Sequence, residues 1–391
     1  MFDPSPSSTN NALAIYIHWP YCVSKCPYCD FNSHVANSID HNAWRLAYVR
    51  ELRHYAALLP KRRITSIFFG GGTPSLMEPA TAATVLDEIA KLWPLDENIE
   101  ITLEANPSSV EAEKFKAFLA AGINRLSLGV QALNDNDLKF LGRAHGVDEA
   151  RKAITLASQH FPRFSFDLIY ARKGQNLDAW ERELREALSL AGSHLSLYQL
   201  TIEPGTQFGT RHARGEALTA PDPDAAAMFE HTQSIMADAG LPAYEISNHA
   251  RPGDESRHNL AYWHYDDYIG IGPGAHGRYR ISDAAIAADN HRAPEVWLTN
   301  VNASGHGLKN SETLDQNTAQ REALMMGLRL AQGISHKNWR EKFGGAPDAW
   351  LDAAKLARLK SEGYISDNQN TLQATQAGLQ RLNAVLDYLL N

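Results

Sequence analysis

Residues 15–31 read IYIHWPYCVSKCPYCDF, and the rest of the chain is arranged around them. All three cysteines of the protein, Cys22, Cys26 and Cys29, lie in this stretch. They form a C-x3-C-x2-C array directly after a short apolar run that reads as a strand. One loop with this spacing can bring three thiolates onto a single inorganic cluster. Iron–sulfur clusters ordinarily take four cysteine ligands. A cubane held by three therefore leaves one iron open to an exchangeable ligand. Buried apolar thiols are the plainer alternative, but that suits scattered cysteines better than three within eight residues. Zinc would want a fourth ligand, for which His18 or His34 is available. The odd count and the lack of a secretory signal argue against a disulfide framework.

Working outward, the alternation of strand-like and helix-like runs sets the fold expectation. Strand-like runs fall at 13–19, 65–70, 99–105, 125–131, 164–170 and 194–200. Helix-like runs fall between them, at 41–59, 79–92, 110–121, 147–159 and 177–190. Regular alternation of this kind argues for parallel β/α units. The expectation is an α/β fold, an open or partial (β/α)6 barrel, with a closed eight-stranded barrel as the alternative. The implied division is a loose tail at 1–12, a core at 13–240, an extension at 241–310 and a C-terminal domain at 311–391. That last domain reads as helices at 321–330, 350–362 and 374–390 with a small hairpin at 364–372, a winged-helix-like pattern. It has few clustered basic residues, so a packing or lid role is favoured over DNA binding.

Composition narrows the class further. The chain has 391 residues, of which 44% are hydrophobic, enough for two or three domains and a large core. Its 37 basic and 45 acidic residues give a net charge of −8, so there is no basic field for nucleic acid or anionic lipid. The start, MFDPSPSSTNN, has no signal-like character, and no apolar run approaches the roughly 18 residues of a membrane span. A soluble, cytoplasmic protein is expected, with at most peripheral membrane contact.

In parallel β/α folds the chemistry collects at the C-terminal ends of the strands. The polar residues there are the run from Gly70 through Gly71, Gly72 and Thr73 to Pro74, then Glu104, Gln131, Asp167 and Gln199. Arg143, in the loop after Gln131, can reach the same face. The glycines let backbone groups approach a ligand closely, or simply make a tight turn. Glu104 and Asp167 are acids within apolar strands, so each wants a polar ligand or an ion pair. For Asp167 the structural alternative is a salt bridge to Arg125 or Arg143. No pair of carboxylates announces general acid–base catalysis, and no catalytic residue is assigned.

The cysteine array, with Tyr28 in its aromatic slot, resembles the radical S-adenosylmethionine (SAM) signature C-x3-C-x-aromatic-C. The stretches YIHWPYCVSKCPYC, FFGGGTPS, LEANP, SLGVQ, LGRAH, FDLIYA and LYQLTIEPGT resemble the oxygen-independent coproporphyrinogen-III-oxidase-like branch of that family. The resemblance implies a [4Fe-4S] cluster on Cys22, Cys26 and Cys29. It implies SAM contacts at Tyr16, Tyr28, Gly71, Gly72, Thr73, Glu104, Gln131, Arg143 and Asp167. Phe31 stands where the coproporphyrinogen dehydrogenases have a further cysteine. The run His258-Asn259-Leu260-Ala261-Tyr262-Trp263 instead matches the H-N-x-x-Y-W motif of the HemW haem chaperones. That resemblance implies haem as a ligand, with transfer to an apo-haemoprotein acceptor and a low-potential electron donor such as a flavodoxin for the cluster. A neutral imidazole suits haem iron, and Tyr262 and Trp263 could pack on the macrocycle. Asn259 could orient His258 or a propionate. The structural alternative is that His258 hydrogen-bonds inside a turn while the aromatics fill a domain seam. His264 and His276 are lesser candidates. The competing functions are decarboxylation of coproporphyrinogen III and another radical SAM reaction.

Overall fold

The computed structural model describes residues 11–391, so the tail expected at 1–12 lies almost wholly outside the described residues. Six parallel strands carry the core: β1 (Ala12–Trp19), β2 (Arg63–Gly71), β3 (Leu95–Ala105), β4 (Arg125–Gln131), β5 (Arg163–Tyr170) and β6 (His194–Gln199). They stand in sequence order in one sheet. Each pair is bridged by helical chain, which parallel pairing requires.

The stretch 241–310 does not form a layer of its own. It extends the same sheet at both edges. β7 (Asn248–Ala250) pairs antiparallel with β6, and β8 (Tyr268–Ile271) pairs parallel with β1. Beyond β8 come β9 (His276–Ile281), β10 (Ala284–Asn290) and β11 (Leu308–Leu314), all antiparallel. The sheet thus has eleven strands, seven of them running parallel. Among the described residues its edge strands do not pair with each other, so the barrel is partial and the eight-stranded closed alternative is not what forms.

Alternation along the strands separates core from site. Leu13, Ile15, Ile17 and Trp19 of β1 are buried in the main hydrophobic core under the outer helices. Helix α1 (His41–Leu58) begins at Asp40, whose carboxylate accepts from the amides of Asn42 and Ala43, and buries Trp44, Tyr48, Leu52 and Tyr55. Helix α2 (Pro79–Leu92) starts with proline at its first turn, where no N–H is needed. The opposite face of the sheet carries Tyr16, Phe68, Glu104, Ser127, Ser165 and Asp167. Pairing sets Tyr16 beside Phe68, and Glu104, Ser127 and Ser165 in one row.

The C-terminal part has its own core around Leu324, Trp339, Leu372 and Leu386. Helices surround a three-stranded antiparallel sheet of Ile334–Ser335, Thr371–Ala374 and Ile365–Asp367. The final helix expected at 374–390 is two helices, Gln376–Gln380 and Leu382–Leu390, broken at Arg381. No helix among the described residues is long and apolar enough to cross a membrane.

Candidate functional site

A cavity of about 1380 Å3 opens on the strand-end face. Cys22, Cys26 and Cys29 line it, with Tyr28, Gly72, Thr73, Glu104, Gln131, Arg143 and Asp167. Seven of the nine residues expected to contact SAM therefore share one space with all three cysteines.

Tyr16 and Gly71 do not line that cavity. Tyr16 sits on the same sheet face, its hydroxyl 3.2 Å from His18 Nδ1 and its ring stacked on Phe68. Gly71 has φ +111°, and a Cβ there would come within 2.6 Å of the His18 ring. Glycine is needed because the chain turns hard against the exit of β1. The Gly72 amide donates to Trp19 O at 2.7 Å, and the Thr73 amide to Tyr21 O at 2.8 Å. The tight-turn and ligand-approach readings of the glycine run coexist: the turn brings Thr73 to the cysteine loop.

Polar groups converge on the sulfurs. Thr73 Oγ1 donates to Cys22 Sγ at 3.4 Å, and Arg143 Nη1 to Cys26 Sγ at 3.4 Å. Burial raises the Cys22 and Cys29 thiols above their ordinary range, with the neighbouring cysteines adding to the rise in both. The three sulfurs are thus near enough to repel as thiolates.

Two residues that sequence reasoning passed over tie this wall together. Asn106 Nδ2 donates to Thr73 Oγ1 at 3.0 Å, and Asn106 Oδ1 accepts from Arg143. Buried Glu111 accepts from the Asn106 amide at 2.8 Å and from Ser75 Oγ. The signal was in the quoted run LEANP, whose asparagine lies two residues past Glu104. His145, from LGRAH, also lines the cavity, with Nε2 3.1 Å from Val130 O.

Opposite lie the carboxylates. Glu104 and Asp167 are deep in protein yet open to the cavity. Burial pushes Glu104 up to about 8; Asp167 nearby adds to the rise and the Gly71 amide opposes it. Burial lifts Asp167 to about 6 against the Ser196 hydroxyl, Arg125 and Arg143. The salt bridge weighed for Asp167 does not form among the described residues. Arg125 instead lies 4.0 Å from Glu100, which Arg163 also holds at 2.7 Å. Gln131, at φ +76°, occupies a backbone region costly for a non-glycine residue, and its buried Oε1 has no partner. An unpartnered amide oxygen and two buried acids without a salt bridge among the described residues are what a cationic, hydrogen-bonding ligand such as SAM would satisfy.

The HNLAYW run is placed elsewhere. It forms helix α3 (Arg257–Trp263), capped by Ser256. His258 is 1% exposed. Its Nδ1 lies 2.9 Å from Ser66 Oγ and its Nε2 2.8 Å from Tyr262 Oη, while its amide donates to Glu100. Burial holds the ring neutral, down at about 3. Neither ring nitrogen is free for iron in this arrangement. Tyr262 also packs edge-on to Tyr268. Asn259 Nδ2 is 3.4 Å from Tyr244 Oη. Trp263 faces the seam with the C-terminal domain, beside a void of only about 30 Å3. Its buried Nε1 has no partner, and Arg329 lies over its ring at 6.0 Å. The void described beside Trp263 is smaller than a macrocycle. His264 borders the same small void, and His276 is exposed on β9.

Comparison with known proteins fits this geometry. A model of the radical SAM superfamily matches residues 16–187, and one of the HemN C-terminal domain matches 314–381. A protein of Escherichia coli described as heme chaperone HemW is 37% identical, over 97% of this chain and 98% of its own. The chain belongs to the HemW family of radical SAM proteins. A second relative of this HemW-family chain, radical S-adenosyl methionine domain-containing protein 1, mitochondrial, of Bos taurus, is 39% identical over 99% of the chain and 89% of its own length. Among solved structures, coproporphyrinogen III oxidase (HemN) of Escherichia coli superposes with a TM-score of 0.80 at 21% identity, covering 98% of this chain and 91% of that one. That likeness shows a common fold, partial barrel and C-terminal domain included. Membership of the radical SAM family implies a [4Fe-4S] cluster and SAM.

Proposed function

We propose that the protein is a haem chaperone, which binds haem as cargo and passes it to an apo-haemoprotein acceptor. The observation that carries this reading is the near full-length likeness to the HemW heme chaperone. Cys22, Cys26 and Cys29 hold the cluster. Bound there, it supplies one low-potential electron and an open iron for the amino and carboxylate groups of SAM. Gly72, Thr73, Glu104, Gln131, Arg143 and Asp167 surround that position, with Tyr28 inside the cluster loop between Cys26 and Cys29. Glu104 and Asp167 favour the sulfonium charge, and Thr73 and Arg143 donate to the sulfurs of Cys22 and Cys26. Cluster and SAM control haem transfer or assembly, with an electron donor such as a flavodoxin, in the cytoplasm. Phe31, 60% exposed at the rim of the cluster loop, offers no thiol where the oxidase branch has one.

Titration of the reconstituted protein with haem, followed by transfer to an apo-acceptor and read by absorbance, tests the reading. Saturable binding and transfer support it. Turnover of coproporphyrinogen III in an anaerobic assay with SAM and reductant would overturn it in favour of the oxidase.

A further inference from the structure

The large cavity continues past the cysteines and carboxylates to a wall that SAM binding leaves unused. That wall is residues 379–384 of the C-terminal domain, at the break between the last two helices. At about 1380 Å3 the space exceeds the roughly 300–1,000 Å3 of ordinary small-molecule pockets.

The lining on this side is apolar with a single cation. Phe229, Ile246 and Leu379 give flat apolar surface. Gln380 Nε2 donates to Glu230 Oε1 at 2.7 Å, which seats the wall against the helix carrying Phe229. Arg381 is the cation. Its Nη1 reaches only neutral acceptors, Gln380 Oε1 at 3.3 Å and Ala377 O at 3.5 Å, and its guanidinium lies 5.9 Å over the Tyr364 ring. Among the described residues it forms no ion pair with a carboxylate, although the chain carries more acids than bases. A guanidinium carried by an exposed residue of the cavity lining, beside apolar surface and without an ion pair among the described residues, suits a planar carboxylate arriving with an apolar body. Glu203 and Asp222 border the same cavity, so an anionic group is disfavoured near them and Arg381 fixes which way the ligand points.

We propose that Arg381 receives a carboxylate of a flat, largely apolar ligand seated in this part of the cavity, next to SAM; on the reading of haem as cargo, that group is a haem propionate.

The test compares haem with haem dimethyl ester, whose propionates carry no charge. Each is titrated into reconstituted wild-type, Arg381→Glu and Arg381→Lys protein and followed in the Soret region. SAM binding is read separately from the EPR spectrum of the reduced cluster. Expected are a loss of about tenfold or more in haem affinity for Arg381→Glu, a smaller loss for Arg381→Lys, which keeps the charge without the planar fork, equal affinity of all three for the ester, and unchanged SAM spectra. Haem affinity untouched in Arg381→Glu overturns the seat and leaves the chaperone reading standing. An equal loss for acid and ester also overturns it, because charge is then not what is recognised. Absence of saturable haem binding to the wild type overturns the chaperone reading and the seat together.

Discussion

Replacing His258 with alanine removes hydrogen bonds of 2.9 Å to Ser66 Oγ and 2.8 Å to Tyr262 Oη at a fully buried position. Each stranded hydroxyl costs about 1–3 kcal/mol, and the space left by the imidazole adds about 2 kcal/mol. With each hydroxyl at the lower end of that range, the expected loss is about 4 kcal/mol. Against a total stability of about 5–15 kcal/mol, that is enough to depress haem retention with no ligand role at all. Urea unfolding of the haem-free protein measures the loss directly. Tyr262→Phe separates the two roles, since it breaks one bond, costs about 1 kcal/mol and releases Nε2. If His258 meets iron once this contact opens, Tyr262→Phe binds haem as tightly as the wild type or more so, with the same Soret band. A loss under about 1 kcal/mol in His258→Ala would refute the clamp inferred from these distances.

Other perturbations probe the cavity and the fold. Glu104 must ionise to favour a sulfonium, and its carboxyl sits at about 8. SAM affinity should therefore climb about tenfold per pH unit from 6.5 towards 8 and level off above, and Glu104→Gln should flatten the profile; calorimetry in two buffers would detect the released proton, and a flat wild-type profile defeats the argument. Thr73→Val deletes the donor to Cys22 Sγ. A bond worth about 1 kcal/mol more to the reduced cluster corresponds to about 40 mV, so an EPR redox titration should find the potential lowered by that amount, and a rise would contradict the geometry. Glu51 accepts from the amides of Gly272 and Gly307 and from the side chains of Asn290 and Trp297. Glu51→Gln turns an NH2 group towards one of those donors and should cost about 3 kcal/mol in urea unfolding, whereas an unchanged midpoint would mean that α1 is not pinned to the edge strands through this carboxyl.

The six core strands were legible because each is an apolar run closed by a polar or glycine residue at the site face. β8 was not, since Tyr268–Ile271 is four residues interrupted by glycine, and only its pairing with β1 makes it a strand. Its neighbours belong to the sheet for the same non-local reason. In the HNLAYW run the i, i+4 spacing of His258 and Tyr262 already allowed a contact along one helix. Which way that helix turns was not readable, because Ser66 and Glu100, its anchors, lie on distant strands. The same holds for Arg381. Helical spacing runs through 374–390, and no proline announces the break at Arg381.

The cavity gains its sign from register. Alternation puts Glu104 and Asp167 on the same face, with pairing from Glu104 through Ser127 to Ser165 placing Asp167 two residues further along β5. Burial is the main cost for each acid; Asp167 adds to the rise at Glu104, while Ser196, Arg125 and Arg143 oppose it at Asp167. Such an arrangement is unfavourable until a cation enters, so the binding energy of a cationic ligand includes relief of a repulsion already built into the sheet. Arg381 presents the inverse case across the same space, a cation without its anion. A single neutral ligand would answer neither end, whereas a sulfonium zwitterion at the cysteine loop and a carboxylate at the C-terminal wall answer both.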